Sequence, residues 1–145
     1  EKSPEVFLVR QQMQQTGVDF CLDAHGDEAV PYNFLLGADA VPGFTPRRQA
    51  LQDAFKANWV ATCPDFQTRV AYGTAHPTRA NPTLATNWVA QAFDCLAFTL
   101  EIPFKDNADL PDDSVGWNGE RSKKLGASVL LPLLAVLPQL RVILE

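Results

Sequence analysis

The stretch Val18-Asp19-Phe20-Cys21-Leu22-Asp23-Ala24-His25-Gly26-Asp27-Glu28 decides how this chain is read. Val18, Phe20, Leu22 and Ala24 alternate with Asp19, Cys21, Asp23 and His25. A period of two is that of a strand whose successive side chains point to opposite sheet faces. Gly26 is expected to break the run. In open α/β sheets, ligands and catalytic groups gather beyond the carboxyl ends of the strands, so His25 stands where a site is expected. A lone strand-end histidine does not by itself define one.

A second strand adds weight. Leu96, Phe98 and Leu100 alternate with Cys95, Ala97, Thr99 and Glu101 before Pro103 stops the ladder. Glu101 therefore closes an otherwise uncharged strand, where a carboxylate can also be no more than a solvated terminus. Taken together, His25 and Glu101 suggest a histidine ligand and a general base converging from two strands.

Around these strands the pattern is mostly helical. Ser3 as N-cap, Pro4 at the first helical position and Gly17 past the end frame a helix with Val6, Val9 and Met13 on one face. Thr45-Pro46 opens another, whose buried side carries Leu51, Ala54, Phe55 and Trp59. Leu84, Trp88 and Ala92 mark a third that leads into the Glu101 strand. His76-Pro77-Thr78-Arg79-Ala80-Asn81-Pro82 reads as a loop, and Asp106 to Asp113, with four aspartates, as a polar loop before a last helix. Pro132 is expected to kink that last helix by removing a backbone donor.

Composition narrows the function classes. The 145 residues suit one domain, and 46% apolar content is that of a globular core. A net charge of −5 leaves no broad basic surface for nucleic acid. The most apolar stretch, Ala127 to Leu137, is short of the roughly 20 residues that span a bilayer, so it reads as a core-packing helix and no membrane partner is expected. Cys21, Cys63 and Cys95 are an odd number, two of them inside expected strands, which fits free thiols in a cytoplasmic protein.

The run Val18 to Gly37, together with Phe93 to Asn107, resembles the second half of a zinc metallocarboxypeptidase catalytic domain. The likeness is greatest to bacterial members of the cytosolic carboxypeptidase branch. It continues through Gly116-Trp117 and Glu120 to Ala127, and so covers nearly the whole chain. The resemblance implies an α/β fold in which residues 1–145 supply part of a mixed β-sheet flanked by helices, as the C-terminal portion of the catalytic domain. It implies that His25, in Asp23-Ala24-His25-Gly26, is a zinc ligand, and that Glu101, in Phe98-Thr99-Leu100-Glu101, is the catalytic glutamate. Tyr72 is the expected tyrosine that closes over substrate, with Tyr32 as rival. Asp23 is either the hydrogen-bond partner of His25 or satisfied by backbone amides.

The implied activity is removal of the C-terminal amino acid from peptides or proteins. Zinc activates a water, and Glu101 takes its proton and passes it to the leaving amine. The family's earlier His-x-x-Glu motif, its substrate-gripping arginine and its Asn-Arg pair have no counterpart here. His25-Gly26-Asp27-Glu28 satisfies the letters His-x-x-Glu but is by context the later motif, and Glu28 is expected to make a structural hydrogen bond or pair with a base. The chain is accordingly expected to be a piece of a longer protein whose N-terminal part completes the site, and to be inactive alone. Arg47, Arg48, Arg79 and Lys105 are candidates for binding an acidic substrate side chain, Lys105 foremost. His76 is expected to face solvent. The other readings are a zinc deacylase of N-acyl amino acids and a non-catalytic binding module on the same scaffold.

Overall fold

The computed structural model describes residues 2–73 and 81–141. Over these residues the chain runs α1 (Pro4–Thr16), β1 (Phe20–Asp27), β2 (Phe34–Gly37), α2 (Pro46–Thr62), α3 (Ala85–Phe93), β3 (Leu96–Pro103), α4 (Gly119–Ser128) and α5 (Leu130–Leu140). The strands form one sheet in the order β1-β3-β2, with β1 parallel and β2 antiparallel to the central β3. The sheet is mixed and flanked by helices, as the resemblance implies.

Strand alternation sorts the side chains into two layers. Phe20 and Leu22 of β1, Leu35 of β2 and Leu96, Phe98 and Leu100 of β3 pack with α2, α4 and α5. Thr45 caps α2 by accepting the Arg48 N–H at 3.3 Å, Pro46 stands in its first turn, and Leu51, Phe55 and Trp59 form its buried stripe. The Phe55 and Phe98 rings lie 5.1 Å apart, and Trp59 stacks on Phe66 at 4.2 Å. The Trp59 indole N–H donates to Ser128 Oγ at 2.7 Å, which satisfies its one polar group. The opposite face carries smaller groups. Cys21, Cys95 and Ala97 lie there against Val89 and Ala90 of α3, with Ala38 and Val41.

Several expectations change in the structure. Gly26 does not end its strand: β1 continues to Asp27, and the exposed Phe104 ring lies over the space beside Gly26. Gly17 does end α1, with φ 75° and its N–H on Met13 O at 2.8 Å, but Ser3 makes no side-chain cap and no α1 residue is buried. Val6 and Val9 are exposed.

On α3 the buried residues are Thr86, Asn87, Val89 and Ala90, whereas Leu84 and Ala92 are exposed. The apolar periodicity pointed elsewhere because Thr86 and Asn87 have specific partners: Thr86 Oγ1 is 2.8 Å from Thr99 Oγ1, and the Asn87 amide donates to Asn81 O at 2.8 Å.

The expected effect of Pro132 is seen as a break: the helical stretch is interrupted at Val129, about one turn before the proline, where the missing N–H and the crowding of the Ser128 carbonyl act. The helical stretch Gly119–Leu140 is 22 residues long, longer than Ala127 to Leu137, and by length and composition alone is apolar enough to cross a membrane. Leu125, Val129, Val136 and Leu140 turn into the core, while Leu130, Leu131, Leu134 and Leu137 are exposed.

Candidate active site

Register brings the two residues singled out in the sequence together. On the parallel pair, His25 is the Cα partner of Glu101 and Asp23 that of Thr99. From the other side, Phe34 partners Glu101 and Leu36 partners Thr99. Asp23, His25, Thr99 and Glu101 therefore continue, toward the strand ends, the face on which Cys21, Cys95 and Ala97 lie under α3. That helix starts only at Ala85, so the face opens beyond it. A cavity of about 260 Å³ results. Asp23, His25, Thr99 and Glu101 line its sheet side, Leu84, Ala85 and Thr86 the side at the start of α3, and Leu36 and Tyr72 the remainder.

The charges in it are arranged unequally. Glu101 is buried, and that burial pushes its carboxyl above the ordinary range; the His25 imidazole opposes the shift, and Asp27, Asp23 and Glu28 add to it. His25 Nε2 stands 3.0 Å from Asp23 Oδ2, with both side chains partly exposed. Of the two readings of Asp23, the imidazole partner is the one in the geometry. Among the described residues no group of three or more His, Cys, Asp or Glu side chains is placed to hold a metal.

Tyr72 is the tyrosine that reaches the cavity; Tyr32 is half-buried and does not line it. The Tyr72 ring stands edge-on to Phe34, centroids 5.0 Å apart at 79°, and its hydroxyl donates to Asp27 Oδ1 at 2.7 Å. Burial, the bond to Asp27 and the negative charges of Glu101, Asp27 and Glu28 all push its phenol well above the usual value. Burial acts to raise Asp27, but the bonds from Tyr72, Val30 and Ala29 and the Lys105 charge outweigh it and hold that carboxyl below the ordinary range.

The remaining candidates separate from the site. Glu28 is exposed, and the structural hydrogen bonds expected of it are made by Asp27, one residue earlier. Arg47 donates to the carbonyls of Gln139 and Leu140 at 2.8 Å each, closing the end of α5. Arg48 is buried, donates to Ala90 O at 2.9 Å and pairs with Asp94 at 3.0 Å. Both arginines are structural. Lys105 is exposed and outside the cavity lining. His76 and Arg79 lie outside the described residues. Asp27 and the Thr86–Thr99 pair are what the sequence reading missed. For Asp27 there was a signal, because an aspartate followed by a short turn is a common acceptor for the next backbone amides.

Comparison with known proteins bears on this arrangement. No family model matches the chain. An uncharacterized protein of Zymomonas mobilis is 43% identical over 140 residues, which is 97% of this chain but 37% of that protein. A metallo-carboxypeptidase from Pseudomonas aeruginosa, solved in complex with (2-guanidinoethylmercapto)succinic acid, superposes with a TM-score of 0.90 at 47% identity, covering 96% of this chain and 37% of its own. A metallo-carboxypeptidase from Burkholderia cenocepacia gives a TM-score of 0.89 at 43% identity, covering 94% and 36%. The chain thus spans a little over a third of the length of these relatives. In fold it is a portion of a metallo-carboxypeptidase-like domain, in keeping with the C-terminal half of such a domain.

Proposed function

We propose that this chain carries the base-bearing part of a zinc-dependent carboxypeptidase site, with Glu101 as general base, His25 as one metal ligand and Tyr72 as the tyrosine that closes over the substrate. The observation that carries the reading is the register of β1 and β3, which sets His25 beside Glu101 at the mouth of one cavity. The solved relatives named metallo-carboxypeptidases support the class.

The donor set supports His25 as a single ligand and no more. A ligating imidazole hands its other N–H to a carboxylate, and Asp23 stands in that place at 3.0 Å. A catalytic zinc takes three protein ligands, and the described residues do not assemble them. The other ligands are expected from the rest of a longer protein, so the 145-residue chain alone should bind zinc weakly and show no turnover. When bound, the metal supplies Lewis acidity and lowers the pKa of its water to about 7.

Everything else is asked of the chain's own residues. A Glu101 carboxyl raised by burial is a better proton acceptor than a solvated one, and can return the proton to a leaving amine within the same turnover. Asp23 holds the imidazole in one orientation. The substrate is the C-terminal peptide or isopeptide bond of a peptide or protein. The three free thiols, Cys21, Cys63 and Cys95, support a cytoplasmic setting.

The test is Glu101→Gln in the intact protein, assayed on peptides with a free C-terminus. General-base catalysis predicts a fall in kcat of roughly 10²- to 10⁴-fold. Turnover within a few-fold of the unsubstituted protein would contradict the assignment.

A further inference from the structure

Resting on that carboxypeptidase reading, we infer that Gln67 is a positioning residue for substrate binding: it clamps the root of the arm that carries Tyr72, and so fixes the point from which that tyrosine closes. Gln67 follows Phe66, whose backbone bridges Asn33, the residue before β2. Its side chain is buried, and its amide is engaged on both atoms. Oε1 accepts the Val70 N–H at 2.7 Å; Nε2 donates to Val70 O at 2.8 Å and to Asn33 O at 3.1 Å. One side chain thereby holds both backbone groups of Val70 and is itself held at the start of β2.

Residues 67–73 lie outside any helix or strand, so no ladder of backbone bonds carries the chain from Phe66 to Tyr72. The Gln67 amide takes the place of such a ladder at Val70, two residues before the tyrosine. Its own footing is firm, because the Asn33 side chain is buried and donates to Asp65 O at 3.0 Å. The Arg69–Asp109 ion pair also ties this segment, but Arg69 is exposed, and such pairs contribute little. Whatever position the Tyr72 ring takes, it swings from this root. A root fixed during folding limits the conformations the arm gives up on closing, so less binding energy goes into ordering it. Glu101 and His25 belong to β3 and β1, whereas the bonds of Gln67 go to Asn33 and Val70. Loss of the clamp should therefore appear in KM, with kcat largely spared.

The experiment is a double-substitution cycle in the intact protein, with KM and kcat measured separately on a peptide substrate. Gln67→Met keeps the reach of the side chain and removes its bonds to Val70 and Asn33. It is expected to raise KM roughly two- to tenfold, the scale of a short segment freed before binding, with kcat within about twofold. In a Tyr72→Ala background the same substitution should add nothing, because the group it positions is gone. An equal rise in both backgrounds would overturn the inference, since a general brace, or a route through Phe34 to Glu101, survives the loss of Tyr72. An unchanged KM would overturn it as well, and so would a fall in kcat at constant KM. If Gln67→Met does not fold, Gln67→Glu decides by the same cycle and the same outcomes: it keeps an acceptor for the Val70 N–H and loses both donated bonds.

Absence of turnover in the unsubstituted protein would count against the carboxypeptidase reading, and the clamp is then read without activity. By ¹⁵N relaxation, Gln67→Met should lower the backbone order of Val70 and Ala71, while Leu35 and Leu36 of β2 keep theirs. Unchanged order at Val70 and Ala71 would overturn the inference whatever the activity. An equal loss of order in β2 would overturn it too, because Gln67 would then be a prop of the sheet.

Discussion

The two faces of this sheet are built from the same three strands and serve opposite ends. On one, large side chains meet large side chains: Phe55 on Phe98, Trp59 on Phe66, and Leu125 and Val136 closing over them. On the other, Cys21, Cys95 and Ala97 leave room for α3 to lie close, and beyond Ala85 the covering helix is gone. The residues that follow on that second face, Asp23, His25, Thr99 and Glu101, are the kind a folding chain gains little from burying. The sealed face is organised for stability. The open one holds a desolvated carboxylate beside an imidazole, a costly arrangement that is useful when chemistry needs a raised base.

Substitutions on each face should therefore fail in different currencies. The largest effect is expected from Glu101→Gln in the intact protein: kcat falls by about three orders of magnitude, while the denaturant midpoint stays level or rises, because a desolvated charge has been removed. A marked loss of stability would erase the contrast between the faces. Next comes Trp59→Ala, which removes a fully buried indole and its bond to Ser128. It should cost about 3–5 kcal/mol of unfolding free energy, read by urea titration. A loss under about 1 kcal/mol would mean that the sealed face is not packed as described.

Smaller changes sharpen the boundary between the regions. Thr86→Val removes one partner of the Thr86–Thr99 hydroxyl bond where α3 gives way to the cavity. It should cost about 1 kcal/mol by the same titration, and a stabilising effect would argue that the pair is not formed. The mildest probe is chemical. Burial, foremost among its causes, pushes the Cys95 thiol up to about 12, so in the native protein Cys95 should stay unlabelled by iodoacetamide near neutral pH and react only on unfolding. Rapid native labelling would mean that α3 does not seal its part of the second face.

How much of this was legible beforehand follows from which forces leave a local trace. Period-two alternation in 18–25 and 95–101 carries the strands, the two faces and the shared face of His25 and Glu101, because a strand face is a local property. The two further residues of each strand, to Asp27 and Pro103, were not foreseen. Capping chemistry carries the start of α2, and Gly17 the end of α1. The inward face of α3 was not legible, since Thr86 and Asn87 are buried by partners, Thr99 and Asn81, that no helical period announces. Nor was the continuation of β1 past Gly26, which depends on pairing with Ile102 and Pro103 of β3. Within the site, Tyr72 could be named only through resemblance. Its anchor on Asp27 spans 45 positions of sequence and exists only once the chain has folded.

The central claim is that His25 and Glu101 divide the labour of one site, ligand and base. Zinc content of the purified intact protein tests this most directly, measured side by side for the unsubstituted chain, His25→Ala and Glu101→Gln. The account predicts about one zinc per chain in the first and third, and a large loss in His25→Ala. Full zinc retention in His25→Ala, or loss of the metal in Glu101→Gln alone, would contradict it.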